Sequence, residues 1–357
     1  MPAFQRAVLA IAVVAYAAFG QAAADSQERA LSFGTTTPAQ KSQEIVSAIR
    51  GLTDIPQASY DEMRKAVTLR GTSDQIAMAE WLFHNLSGSV IWMSATPLPI
   101  GPEYKVGGAA DDVVRMFYPE NIDKNPNLQE LVNVLRTVGG FQRMFACEPR
   151  AVAMRGTAGQ VALAGWLVNA LDKPAGWQPQ ESQNPAWYEY WNSPPPYDKL
   201  YSVRVFYTAH TETQQDLQQI VNLVRTLADL QRLFAFSADK ALVFRGTPGQ
   251  TALAEWLLNT LDNPAGWQPP EGQNPVAYRY KDDYPGSKGE TDFVRVFYLA
   301  STDPKEIQAT VNLIRTETRC QRVFAETTHH AVAIRGTASQ VAMAEQLVAT
   351  HPEITPR

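Results

Sequence analysis

The stretch Ala241-Leu242-Val243-Phe244-Arg245-Gly246-Thr247-Pro248-Gly249-Gln250 decides the fold. Leu242 and Phe244 alternate with Val243 and Arg245, the period of a strand that turns one face toward a core. Gly246 lets the chain bend, Thr247 is a helix N-cap, and Gln250, three residues on, completes a capping box. Pro248 fixes the register, because proline is tolerated at the first helical position and breaks a helix further in. The segment reads as strand, sharp turn, helix.

The same junction recurs along the chain. Arg-Gly-Thr stands at Arg70, Arg155, Arg245 and Arg335, 85, 90 and 90 residues apart. The expected N-caps are Thr72, Thr157, Thr247 and Thr337, each followed at the third position by Gln75, Gln160, Gln250 or Gln340. The strand before each cap has one apolar face: Val67 and Leu69, Val152 and Met154, Leu242 and Phe244, Val332 and Ile334. Its other face carries small residues and the arginine. A sheet with one apolar face takes helices on that side.

Working upstream, Val114–Tyr118, Val203–Tyr207 and Val294–Tyr298 read as a first strand, with Ala30–Phe33 as a divergent counterpart. An amphipathic helix follows, shown by Leu217, Ile220, Val221 and Val224 at i, i+3, i+4 and i+7. Thr37-Pro38-Ala39-Gln40 and Asp303-Pro304-Lys305-Glu306 read as its start signals. Arg232–Phe236, a polar turn at Ser237–Lys240 and Ala241–Arg245 form a hairpin. The expected fold class is α+β: four tandem β-α-β-β-α modules, each a small three-stranded sheet with two helices on one face. They cover residues 29–88 (divergent), 113–173, 202–263 and 292–350, with Pro- and aromatic-rich linkers at 89–112, 174–201 and 264–291. Modules of this size are marginal alone, so neighbours are expected to stabilise them.

Two linkers repeat a phrase. Asp172-Lys173-Pro174-Ala175-Gly176-Trp177 returns as Asp262-Asn263-Pro264-Ala265-Gly266-Trp267, followed by Gln183-Asn184-Pro185 and Gln273-Asn274-Pro275. Proline keeps such segments extended, while Trp177, Trp187, Tyr188, Trp191 and Trp267 are costly to leave in water and should pack on adjacent modules. Trp81, Trp166 and Trp256 share one position in the second helix, which becomes Gln346 in the last copy. Core packing or contact with the downstream linker accounts for that pattern, and a carbohydrate platform is the alternative.

The amino terminus has Arg6, a small and apolar run from Ala7 to Phe19 and an Ala-x-Ala site before Asp25, which reads as a signal peptide over residues 1–24. No later window approaches the roughly 18 apolar residues of a membrane span. Export to the periplasm, or secretion, is the expectation. A formal charge of −5 argues against nucleic acid, whose binding rests on phosphate neutralisation. Cys147 and Cys320 occupy non-equivalent positions, so they form no repeated disulfide framework, and two buried free thiols are expected.

The phrases Leu-Gln-Gln-Ile-Val-Asn-Leu-Val-Arg-Thr (217–226), Arg-Gly-Thr-x-x-Gln-x-Ala-Leu-Ala-Glu-Trp-Leu (245–257) and the terminal Leu-Asp-x-Pro together resemble the periplasmic N-terminal domains of secretins. Secretins are the ring-forming outer-membrane channels of type II and III secretion and type IV pili. The resemblance covers all four modules and excludes the signal and linkers. It implies a KH-like topology and domains that pack side by side through protein partners, either self or envelope secretion and pilus components. After the fourth module, up to Arg357, no long run of alternating strands reads as a secretin channel, so a scaffold rather than a pore is expected.

Three sets of arginines recur on the strands: Arg115, Arg204 and Arg295; Arg143, Arg232 and Arg322; Arg155, Arg245 and Arg335. Their stems can cover an open sheet while their heads pair with acids. Alternatively the first and third sets form one interaction face for an acidic partner or neighbouring subunit. His329-His330 falls in a hairpin turn, read as an exposed loop, and has no ligand-spaced Cys or carboxylate beside it. No nucleophile elbow, phosphate loop, paired-carboxylate centre or Gly-x-x-Gly loop stands out, so no catalytic residue, metal or cofactor is expected. The functional expectation is a non-catalytic envelope scaffold, with a receptor for glycan or peptide on the aromatic linkers as the alternative.

Overall fold

A computed structural model describes residues 26–87, 100–107, 112–122, 125–147, 149–180, 184–192, 199–211, 213–264, 267–281 and 291–350. The expected signal peptide, most of the first linker and the side chain of Trp191 lie outside the described residues. The chain divides into two compact units, one of residues 1–132 with 141–172, the other of 133–140 with 173–357.

In the first unit, β1 (Gln27–Ser32), α1 (Ala39–Thr53), β2 (Gln57–Asp61), β3 (Ala66–Gly71) and α2 (Ser73–Ser87) form the first module. Its antiparallel sheet has three strands in the order β1-β3-β2. The helix α1 starts one residue from the expected cap: Pro38 holds the N-cap position, with no side-chain hydrogen bond. The second module runs β4 (Ile100–Lys105), β5 (Val113–Phe117), α3 (Asn125–Val134), a π-helical turn at Leu135–Gly139, β6 (Met144–Cys147), β7 (Ala151–Gly156) and α4 (Ala158–Leu171).

The second unit contains β8 (Ala186–Asn192), β9 (Lys199–Tyr207), α5 (Gln214–Leu227), β10 (Arg232–Phe236), β11 (Ala241–Gly246) and α6 (Pro248–Leu261). After it come β12 (Val276–Lys281), β13 (Thr291–Tyr298), α7 (Pro304–Thr318), β14 (Val323–Glu326), β15 (Ala331–Gly336) and α8 (Ala338–Thr350). The α+β repeat is therefore present in all four copies.

Two parts of the expectation are corrected. Three sheets have four strands, because β4, β8 and β12 add to them from the linkers, in the orders β4-β5-β7-β6, β10-β11-β9-β8 and β12-β13-β15-β14. A linker that reads as Pro-rich coil satisfies its backbone groups by pairing with a strand edge. Asn184 and Asn274 help: each side-chain amide donates to the carbonyl of Tyr207 or Tyr298 at 2.9 Å and accepts from that residue's N–H, so the asparagine imitates one more rung of the ladder.

The second correction concerns the face expected to be free of helices. In the first unit, Val114, Met116, Ala151 and Ala153 of the second sheet are buried in one continuous core with Ile45, Ala48 and Leu52 of α1. Small alanines let the helix approach the strands, and Gly51 of α1 meets the ring of Phe145 where a Cβ would collide with it. A glycine within a helix costs up to about 1 kcal/mol, which full burial of Val114 and Met116, worth about 1.5–3 kcal/mol each, offsets. In the second unit, α5 does the same for the fourth sheet, joining Leu223 and Leu227 to Val294, Val296, Ala331 and Ala333. Each such sheet is sandwiched between its own helices and the first helix of the module before.

Candidate functional site

The arginines of the second and fourth Arg-Gly-Thr, Arg155 and Arg335, occupy this sandwiched face. Because Arg155 pairs in register with Val114, it points toward α1 rather than solvent. Its Nη1 donates to the carbonyl of Leu52, 2.7 Å away, and lies 3.1 Å from Asp54. Arg143, its neighbour across the hairpin, reaches the other oxygen of Asp54 at 2.5 Å and donates to the carbonyls of Gly51 and Leu52. One carboxylate is thus held by two guanidinium groups. Asp112 completes the arrangement through a two-pronged pair with Arg155, at 2.8 and 2.5 Å. The hydrogen bond and charge of Arg155 hold the Asp112 carboxyl below the usual carboxylate range.

The physical reason for this choice of partner lies in α1. A helix leaves its last carbonyls without amide donors and carries negative partial charge at that end. Asp54 ends α1 in the left-handed conformation, φ 55°, and adds a full charge beside those carbonyls. A planar guanidinium with five donors can satisfy both.

In the second unit the arrangement repeats. Arg335 donates to the carbonyl of Leu227 at 2.6 Å and pairs with Asp229 at 3.1 Å and Asp292 at 2.8 Å. Arg322 takes the second oxygen of Asp229, also at 3.1 Å. The Arg335 guanidinium lies 4.1 Å from the centre of the Tyr280 ring, so its flat face is covered as well. Arg245 follows the same plan with different letters, donating at 3.3 Å to the carbonyls of Val138 and Gly139. Tyr201 stands where the other two clasps place Asp112 and Asp292, its ring 4.5 Å from the guanidinium. The left-handed position is Gly140, φ 75°, where a Cβ would press into Arg232.

Arg155, Arg245 and Arg335 therefore do not form the expected open face for an acidic partner. They are clasps within the chain. Arg335 is 3 % exposed. Arg70, in the first described module, is exposed, and among the described residues meets Ser26 Oγ at 3.4 Å.

Nor do Arg115, Arg204 and Arg295 share that face. Arg115 pairs in register with Met154 and Arg295 with Ile334, on the helix side of their sheets. Arg204 and Arg295 bond through Nε to Glu255 and Glu345 of the second helix, the latter at 2.6 Å, and Arg29 does the same with Glu80 at 2.6 Å. Arg115 instead pairs with Glu103 of β4.

The caps lie at the helix starts. Thr157 and Thr247 form full capping boxes with Gln160 and Gln250. Thr72 with Gln75 and Thr337 with Gln340 exchange the same two hydrogen bonds, at 3.0–3.4 Å. Gln75 and Gln250 also donate to the carbonyls of Asp54 and Asp229, which ties the second helix to the clasp.

The aromatics are internal furniture for the linkers. Trp81 lies 5.5 Å from Tyr104 and Trp256 5.0 Å from Tyr278, each on a linker strand. Trp166 is half-buried at the matching position of α4. Trp177 and Trp267 meet Tyr207 and Tyr298 edge-on, at 4.9 and 5.2 Å. Trp187 is 61 % exposed, with Arg204 over its ring at 5.7 Å.

Sequence reasoning missed the roles of three residues, Asp262, Asp172 and His329. Asp262, the acid of Leu-Asp-x-Pro, accepts from the amides of Ala209, His210 and Thr211 at 2.6–3.0 Å, and Asp172 does the same for Glu120, Asn121 and Ile122. Its recurrence at the end of a helix was the available signal. His329, read as an exposed turn, is buried, its Nδ1 3.0 Å from Glu326 and its Nε2 2.6 Å from the carbonyl oxygen of Asn263. Burial alone would push the imidazole down, but Glu326 and Asn263 reverse that and its pKa lies above the ordinary histidine value. Cys147 and Cys320 are free and buried. Among the described residues no group of three metal-binding side chains is present, and no helix is long and apolar enough to cross a membrane.

No family model matches the chain, and no curated protein matches it. Among solved structures it is similar to ExeD of Aeromonas hydrophila at 15 % identity, TM-score 0.15, over 67 % of this chain and 41 % of that one. The AspS–GspD pilotin–secretin complex of ETEC, at 13 % identity, and the type II secretion system secretin GspD of E. coli K12, at 10 %, have the same TM-score, 0.15. Each match covers 67 % of this chain, and 38 % and 39 % of those chains. The chain thus spans about two fifths of the length of these structures. Scores this low carry no argument about function.

Proposed function

We propose that this protein is a non-catalytic scaffold of the cell envelope, built of secretin N-domain-like modules that dock to one another in a set order and present the array to protein partners of a secretion or pilus machine. The observation that carries the reading is the clasp: the Arg-Gly-Thr arginines after the first are spent on joining parts of the same chain. Export rests on the signal-like amino terminus, and the link to secretion on the motif resemblance. The glycan-receptor alternative is weakened because Trp81, Trp177, Trp256 and Trp267 face tyrosines of the chain itself.

The test is co-sedimentation of the purified mature chain with a purified type II secretin ring, alongside light scattering of the chain alone. Retention on the ring at stoichiometric occupancy supports the reading. A chain that is monomeric and passes the ring unretained, while its tryptophan fluorescence responds to cell-wall sugars, overturns it in favour of a receptor.

A further inference from the structure

One module breaks the rule that the others keep for the strand-one arginine. Arg29, Arg204 and Arg295 each direct Nε to a second-helix glutamate: Glu80, Glu255 and Glu345. In the second module the same helix position is Gly165, 85 residues after Glu80 and 90 before Glu255. Arg115 keeps its guanidinium in place by other means, sending Nη2 to Glu103 and Nη1 to the carbonyl of Gly101 at 3.4 Å. Its Nε is buried and, among the described residues, has no acceptor. This is the atom that holds the carboxylate in the other three modules.

Space accompanies the missing group. A cavity of about 300 Å³ is lined by Arg115, Lys105, Glu103, Asp112, Val161 and Gly165, among others. We propose that this cavity is a carboxylate-binding site, in which the acidic group of a ligand takes the place of the absent glutamate on the Arg115 guanidinium, a turn of that side chain uncovering Nε, with Lys105 also lining the cavity. A buried donor without an acceptor is costly, so an incoming carboxylate recovers a charge-assisted hydrogen bond. Glu103 and Asp112 are each engaged by an arginine, which largely meets their charge.

The full chain is titrated by calorimetry and NMR with the capped tripeptide acetyl-Ala-Glu-Ala-amide, its Gln analogue, and glutarate. The Glu peptide or glutarate should bind and the Gln peptide should not. Binding of the peptide alone assigns the site to an acidic protein segment; comparable binding of glutarate assigns it to free carboxylic acids. Gly165→Glu supplies the carboxylate internally, as the other modules do, and should weaken binding about tenfold or more. Arg115→Lys keeps the charge, removes the Nε donor, and should do the same should the first variant fold poorly. Saturation by neither acid at about 10 mM, or equal affinity in both variants and the native chain, overturns the proposal.

Discussion

At the residue scale, the four Arg-Gly-Thr arginines are identical in sequence and unlike in consequence. Arg335→Met leaves Asp229 and Asp292 facing each other with a half-lost partner set and the Leu227 carbonyl without its donor. Breaking such a pair from one side should destabilise by about 2–4 kcal/mol, read as a shift in the urea midpoint. Arg70→Met, on an exposed position, should stay within about 0.5 kcal/mol. The thiol of Cys147 is pushed up to about 12 by burial, so it should not react with a disulfide reagent at pH 8 until the protein is unfolded. The strand, turn and cap of Arg-Gly-Thr were legible from the letters, because they depend on neighbours a few residues away. The destination of the arginine was not, since Leu52 and Asp54 lie about a hundred residues from Arg155 and strand alternation names a face without naming what covers it.

At the scale of elements, helix α1 serves two sheets and its sequence is shaped by both. Gly51→Leu would drive a side chain into the Phe145 ring, and the affected contact joins the first module to the second. Overpacking of this kind costs about 1–3 kcal/mol, and thermal unfolding should show it, while Ser47→Leu, on an exposed site one turn earlier, should be nearly silent. The hairpin between β14 and β15 carries a pH-dependent contact. His329 faces Glu326 directly, with Asp262 and Asp216 nearby, and its raised pKa means the folded state favours the charged ring. That contribution is fully present below pH about 6.5 and is lost as pH rises through the folded value. The stability gap between the native chain and His329→Gln should therefore shrink on going from pH 6 to alkaline buffer; a gap that widened would contradict the assigned charge. The fourth strands were hidden in the sequence because Asn184 and Asn274 beside prolines look like coil, and only a neighbouring edge makes them pair.

At the scale of the whole molecule, each unit joins its modules through buried apolar surface as well as through arginines, so each should unfold cooperatively. Asp54→Ala removes the acid shared by Arg143 and Arg155 and should lower the midpoint of one unit alone; hydrogen exchange resolved by segment would show faster opening confined to residues 26–132 and 141–172. The repeat spacing was readable at this scale, since a fixed spacing needs no three-dimensional knowledge. The left-handed residue that ends the first helix reads Asp54, Gly140, Asp229 and then Arg319. Its first three forms admit a following guanidinium, and the fourth repels one. The array consequently has a syntax: its members are not interchangeable words, and an in-place duplication of the last one would set two arginines against Arg319. Lineages that lengthen or shuffle such a gene would have to rewrite that single codon before the new neighbour could settle.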